Sequence, residues 1–273
     1  MKNNYKIIDA HCHIYPDKIA AAASNSISDF YDGAPVRYNG SLSQLFNAGV
    51  GAGADGFVVH SVAVSPQKSS PINRFIAQTV QEGKGLFTGL GALHPDSNTL
   101  ESDIQEIIDL GLHGVKLHAD IQQIAINDPR CFKIYEIIQG RLPVLLHTGD
   151  FRYAYSNPEN VLPVLKAFKN LTVVGAHFGG WSVWEEAAQK LSSFENFYVD
   201  TSSTFGFADK GLVEMLLNKY SANRILFGTD YPMWSLAQEL DYLFSLNLSA
   251  EKLEKILYLN AVRVYGIKQA GAA

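Results

Sequence analysis

An α/β fold, a single (β/α)8 TIM barrel over residues 1–273, is the architecture this sequence predicts, on three observations. Apolar, β-branched-rich runs alternate with stretches of helical spacing, the signature of βαβ units and a parallel sheet. Eight such pairs in 273 residues match the size of a barrel of this class. Seven of the eight histidines, His11, His13, His60, His94, His118, His147 and His177, close a strand-like run, and only His113 opens one. Histidine is the commonest metal ligand, and sites in parallel α/β proteins gather at strand C-termini. The pattern therefore points to a metal site at the barrel mouth.

Taken in order, the strand-like runs fall near residues 6–11, 56–61, 86–93, 114–118, 143–148, 172–177, 196–201 and 224–230. Residues 14–40, between the first strand and its helix, are long and mixed in composition; an insertion there lies over the catalytic face and reads as a candidate lid. It is also where the barrel has room to distort. The helix at 71–83 begins at Pro71 and ends at Gly83. The helix at 97–111 has Ser97 or Asn98 as N-cap, early acids, and Gly111 as its stop. Residues 127–140 repeat that grammar with Asp128, Pro129 and Gly140, and later helices are expected at 157–170, 181–193, 209–220 and 235–247. A doubly wound open sheet would need a glycine-rich phosphate loop after strand 1, and HCHIYPD has no glycine. The tail QAGAA is expected to fray.

Composition narrows the function classes. An apolar fraction of 47% supports a sizeable core, and no apolar stretch approaches the roughly 20 residues of a membrane-spanning helix. A net charge of −5 without any basic block argues against nucleic acid or an anionic membrane as partner. The opening MKNNYKIIDAHCH shows no secretory apolar region, and two cysteines are too few for a disulfide framework. A cytoplasmic protein with a small-molecule substrate is the expectation, with a homodimer left open.

Alternation along each strand sorts the side chains. Asp9, His11 and His13 are expected to share the barrel side of strand 1, with Cys12 toward the helices as a small buried hydrophobe. Lys116 and His118 share the inward face of strand 4. His147, His177 and Asp230 end the inward sets of strands 5, 6 and 8, and Gly175 and Gly228, two residues below the last two, leave room under the site.

The segments DAHCHIYP, GALHPD, GVKLH, PVLLHTG, GAHFGG and FGTDYP, with ILYLNAVRVYGI and its Asn260 at the close, resemble the amidohydrolase superfamily. The likeness is to its amidohydrolase-related branch, which includes aminocarboxymuconate-semialdehyde decarboxylase. The resemblance implies a metal held by His11, His13, His147 and Asp230 with water in an open position. It also implies that His177 transfers protons or orients the water, and that Asp230 can take a proton from it. Three imidazoles and a carboxylate suit Zn²⁺, with another divalent transition metal as the alternative. Lys116 is too costly to bury unpaired. It could be a carboxylated bridge between two metals, a cation for substrate oxygens, or an ion-pair partner of Asp120 or Asp150. The resemblance to a branch usually described with one metal favours one ion per chain.

Other mouth residues each have two readings. His118 contacts substrate or merely ends its strand. Arg152, beside Tyr153 and Tyr155 after strand 5, suits a carboxylate on a planar or apolar substrate, or belongs to an ordinary solvated loop. Asp200 orients a ligand from behind or is a hydrogen-bonded barrel acid. Trp181 and Trp234 wall the pocket or pack the following helix. His60 and His94 read as satisfied rim histidines, His94 shaping a turn before Pro95. The first functional expectation is a metal-dependent hydrolase acting on an amide, ester or lactone bond of a small anionic molecule. The alternative is a metal-dependent, non-oxidative decarboxylase of an unsaturated or aromatic acid. A third reading is a ligand-binding barrel without turnover, which would have no need of four converging ligands.

Overall fold

The β-branched runs form short strands: β1 (Ile8–His13), β2 (Gly56–His60), β3 (Phe87–Gly89), β4 (Gly91–Ala92), β5 (Val115–Leu117), β6 (Val144–Leu146), β7 (Val173–Gly175), β8 (Phe197–Asp200) and β9 (Ile225–Leu226). The structure, a computed structural model, describes residues 5–268, so the tail QAGAA lies outside the described residues. All pairings are parallel, in two ladders ordered β1-β2-β3 and β4-β5-β6-β7-β8-β9. The expected third strand is interrupted at Leu90, whose N–H still reaches the Val59 carbonyl at 2.9 Å while Gly91 N–H turns to Gly114 at 2.9 Å. The ring closes where Ala10 N–H bonds the Phe227 carbonyl at 2.8 Å and His13 N–H bonds Tyr231 at 2.7 Å. The fold is the (β/α)8 barrel that the alternation predicts.

Two apolar shells follow from the period of 2. Ile8, Ala10, Val58, Leu90, Leu145, Val174 and Leu226 pack together inside the ring, with Ala261 and Tyr265 covering its lower end. Their sequence neighbours Phe57, Val59, Val115, Leu117, Val173 and Phe227 pack outward under the helices. This partition corrects two expectations. In β1 the register shifts between Asp9 and Cys12, so Ile8 and Ala10 face the interior below the irregularity, while Asp9 turns to Thr229 (Oγ1 at 2.6 Å). Gly175 leaves room for an outward ring: a Cβ there would meet Phe197 Cζ at 2.5 Å. Gly228 does lie under the site, where a Cβ would stand 2.9 Å from His11 Cβ.

The helices keep the expected order. They are α1 (Asp17–Phe30), α2 (Leu42–Gly51), α3 (Ser69–Glu82), α4 (Leu100–Asp109), α5 (Ala119–Gln122), α6 (Pro129–Ile138), α7 (Pro158–Ala167), α8 (Trp184–Leu191), α9 (Lys210–Lys219), α10 (Leu236–Ser245), α11 (Ala250–Glu254) and α12 (Asn260–Tyr265). Asp128 caps α6 through Arg130 N–H, as its sequence predicts. α3 begins two residues before Pro71, which a first turn tolerates because its amide needs no partner. α4 starts after Thr99 rather than Ser97 or Asn98; Ser97 Oγ accepts Thr99 N–H at 3.1 Å and donates to Asp103 Oδ2 at 2.5 Å. α11 runs through a π-helical turn (Lys255–Leu259) into α12, where Asn260 Nδ2 donates to Ala222 and Ile225 carbonyls at 2.8 and 2.7 Å. His113 sits at the far end from the mouth, its Nδ1 2.6 Å from the Tyr265 carbonyl. Among the described residues no helix is long and apolar enough to cross a membrane.

Candidate metal centre

β1 and the turn after β9 bring three donor atoms together. His11 Nε2 lies 3.3 Å from His13 Nε2 and 3.3 Å from Asp230 Oδ1, and His13 Nε2 lies 3.5 Å from the same oxygen. The other face of His11 fixes its tautomer, since Nδ1 stands 2.8 Å from Asp200 Oδ2 and donates to that carboxylate. Nε2 is then left with a bare lone pair toward the site. Burial holds His11 well below the usual imidazole range and His13 down at about 3, with Lys116 adding a smaller push, so both rings are neutral. With His13 in the tautomer that leaves Nε2 unprotonated, two lone pairs and a carboxylate oxygen face one another and repel unless a cation joins them; Lys116 Nζ, 3.4 Å from His11 Nε2, reaches one of the three. Metal bonds of about 2.0–2.1 Å in a tetrahedron place ligand atoms roughly 3.3–3.4 Å apart, which these separations match. Asp230 holds its place in left-handed backbone (φ 61°), with Oδ2 accepting from Ser203 Oγ at 2.6 Å; Trp234 Nε1 supports that serine at 2.9 Å.

His177 is also left-handed (φ 59°), and this turn swings it into the mouth after β7. Its N–H donates to Asp200 Oδ1 at 3.0 Å, so one carboxylate organises both His11 and His177. His177 Nδ1 lies 3.0 Å from the Ser202 carbonyl and therefore carries the proton, leaving Nε2 to accept from His147 Nδ1 at 3.1 Å. That assignment leaves His147 Nε2 a lone pair, and this buried atom has no hydrogen-bond partner among the described residues. Asp120 Oδ2 stands 3.5 Å from it, accepts from Ser156 Oγ at 2.5 Å, and burial pushes the acid up to about 7. The His118 ring stacks on His147 at 3.9 Å.

Of the four expected ligands, His11, His13 and Asp230 thus form one set, while His147 stands beside it across His177, grouped with His118 and Asp120. His60 joins His11 and His13 with both ring nitrogens unbonded, so it is not the satisfied rim histidine expected. His94 does shape its turn, accepting Asp96 N–H at 3.2 Å. Lys116 meets neither expected acid. Its Nζ is 3.4 Å from His11 Nε2, because Asp120 is engaged by Ser156 and Asp150 by Arg152. Burial lowers Lys116 to about 8, which leaves it mostly cationic at neutral pH.

A cavity of about 500 Å³ opens above these groups, with His11, His13, Lys116, His118, His147, His177 and Asp230 on its floor. The expected lid is a helix, α1, and its C-terminal turn contributes Tyr31, which the sequence reading did not single out. Tyr31 Oη lies 3.3 Å from His118 Nε2. His118 Nδ1 accepts Ile121 N–H at 3.3 Å, so Nε2–H donates to Tyr31, whose own proton is free to face the cavity. The only sequence signal for Tyr31 was its place in the insertion. Arg152 does not line the cavity. It binds Asp150 (2.8 Å), Asp32 (2.7 Å) and the Phe30 carbonyl (2.9 Å), and its guanidinium lies over the rings of Phe30, Tyr31, Tyr153 and Trp181 at 5.2–5.8 Å. It fastens the end of α1 to the loop after β6. A smaller cavity of about 100 Å³ beside His177 is walled by Tyr31, Trp181 and Phe207.

The family model described as amidohydrolase matches residues 8–267. A curated relative, 2-amino-3-carboxymuconate-6-semialdehyde decarboxylase of Dictyostelium discoideum, is 26% identical over 204 residues, 59% of this chain and 55% of that protein. The chain thus spans about half the length of this relative. Among solved structures, an uncharacterised TIM-barrel protein from Bordetella bronchiseptica superposes with TM-score 0.77 at 25% identity, covering 96% of this chain and 98% of that one. A 5-carboxyvanillate decarboxylase from Sphingomonas paucimobilis gives 0.77 at 16% identity, over 97% and 100% of the two chains. A dihydroxybenzoic acid decarboxylase from Polaromonas, with bound manganese and the inhibitor 2-nitroresorcinol, gives 0.74 at 16%, over 97% and 98%. Hydrolysis as the first expectation is corrected by these names, because the curated relative and the two structures named for an activity are all decarboxylases.

Proposed function

Taking as premise that the chain belongs to the amidohydrolase family, we propose that it is a metal-dependent, non-oxidative decarboxylase of a small unsaturated or aromatic carboxylic acid. One observation carries the reading: a floor of five imidazoles and the Lys116 ammonium, with Asp230 its one carboxylate among the described residues, under walls that are mainly apolar. Loss of CO₂ discharges a carboxylate, and apolar walls around the reacting acid favour that change. The decarboxylase names of the relatives support the same choice.

His11, His13 and Asp230 would hold one divalent transition ion, with the buried lone pair of His147 as the fourth donor. Three imidazoles and a carboxylate suit Zn²⁺, and Mn²⁺ is the alternative that the Polaromonas structure brings. When bound, the ion supplies positive charge that orients the substrate's oxygens. Lys116 adds a second cation for those oxygens, and Tyr31 Oη offers a hydrogen bond. His177 is the proton-transfer group. Its Nδ1–H is tied to Ser202, so Nε2 would take the proton from solvent and pass it on, giving up its hydrogen bond from His147 Nδ1 as it does so. The proton goes to the carbon bearing the carboxylate, and as the C–C bond breaks its electron pair returns to the π-system. Arg152 acts on α1 and not on the substrate.

The test is CO₂ release from 2,6-dihydroxybenzoate, 5-carboxyvanillate and aminocarboxymuconate semialdehyde, by protein loaded with Zn²⁺ or Mn²⁺. Release that stops on chelation and returns with the ion is expected. Lack of CO₂ from every unsaturated acid tried, with the ion at full occupancy, would sink the proposal.

A further inference from the structure

α1 is amphipathic, yet it buries only Ala20 and Ser24 against the protein. Three of its other apolar residues, Ile19, Ala23 and Ile27, recur every fourth position, so they form one stripe, and all three line the cavity, as Phe30 at the helix end also does. Ile72 and Phe75, spaced by three on α3, line the same cavity, and Val64 stands at its rim. Ile19 and Val64 are 52% and 59% exposed, which for large aliphatic side chains at a cavity mouth leaves apolar surface in need of a partner. Among the described residues Lys68 is the one charged lining residue outside the floor, and it lies in solvent at the edge. The cavity is continuous with the floor, and its volume of about 500 Å³ lies within the roughly 300–1,000 Å³ that takes drug-sized ligands. A single-ring acid seated on the floor would leave the stripe of α1 uncovered.

We propose that the substrate acid carries an apolar arm of several carbons, an alkyl chain or second ring, which lies between α1 and α3. This rests on the decarboxylase reading for the acid and on the cavity walls for the arm. The occupant is part of the substrate because apolar wall and polar floor bound one space. The arm sets specificity: each methylene moved from water onto Ile27, Ile72 and Phe75 tightens binding by up to about fourfold.

The experiment uses the metal-loaded protein and 2,4-dihydroxybenzoates bearing hydrogen, methyl, propyl or pentyl at carbon 6, with the 4-alkyl 2,6-dihydroxybenzoates as a second series. Kd is measured by calorimetry and CO₂ release on the same samples. In at least one series, Kd should fall steadily with chain length, by more than tenfold from methyl to pentyl. Ala23→Phe, which fills the wall, should erase the gain, and Ile27→Ala should reduce it, with circular dichroism confirming that both variants fold. CO₂ release with a flat Kd in both series overturns the arm and leaves the decarboxylase reading standing. A Kd that tightens with length, without CO₂ from any member, supports the arm and removes that reading. A gain that survives Ala23→Phe also overturns the assignment to this wall.

Discussion

The orientations of His11 and His177 at the mouth are set by the groups behind them. Asp200 stands behind His11 and Ser202 behind His177, so the atoms left facing the cavity are determined by hydrogen bonds outside it. Removing a partner of this kind typically lowers metal affinity about 10–100-fold. We therefore predict that Asp200→Asn keeps the fold but loses affinity in that range, measured by competition with a chromophoric chelator. Replacing His11 and His13 together by alanine should abolish binding in the same assay, and elemental analysis at full occupancy would remove them as ligands. His177→Asn should keep the ion while kcat drops roughly 10²–10⁴-fold; loss of ion in step with activity would make His177 a ligand. The residue types of this site were legible because strand-end histidines have few structural reasons to cluster. Their partners were less so. Lys116 and Arg152 reach groups more than 100 positions away, His11 and Phe30, which alternation along a strand does not register.

Among the elements, α1 depends on a clamp at one end. Arg152 holds Phe30 and Asp32 while its guanidinium lies on four rings, so the position of Tyr31 follows from a residue that never reaches the cavity. We predict that Arg152→Gln raises KM for the acid several-fold more than it lowers kcat. Amide exchange should quicken in α1 and stay unchanged in β5 to β7. An effect on kcat alone would mean the guanidinium acts in the chemical step. The sequence announced an insertion at 14–40 through length and mixed composition, but not that it would be a helix facing a cavity, since an apolar stripe reads alike whether it covers core or ligand. Strand phase was legible wherever the ladder is regular. It failed at β1 and at the turn after β7, where an irregular register and a left-handed His177 break the period of 2.

For the whole molecule, burying acids makes stability depend on pH. Asp9 and Glu239 are nearly inaccessible, and burial raises them to about 6 and about 8. An acid raised in the folded state binds more protons there than in the unfolded chain, so stability falls as pH climbs from the unfolded value through the folded one. For Glu239 that window runs from about 4.5 to about 8. We predict that, in chelator, the Tm of Glu239→Gln gains on that of the parent chain as pH rises from 5 to 8, a comparison in which the opposite contribution of the buried histidines cancels; a Tm difference that does not change with pH would refute the assignment. The overall fold was the most legible level, because eight repeats of one pattern outweigh a local error in any of them. The break at Leu90 was not, since 86–93 reads as one apolar run.

That break divides the wall of the barrel into two staves of unequal width. His11 and His13 stand on the narrower, three-stranded one, while His147 and Asp230 rise from the turns that follow strands of the wider. An ion gripped from both sides would act as a hoop. At a hundredfold excess over its Kd it adds about 2.7 kcal/mol against any opening that releases it. Amides of β1 to β3 that exchange by such an opening should then slow about a hundredfold on loading. Occupancy would be written into the stiffness of the narrow stave.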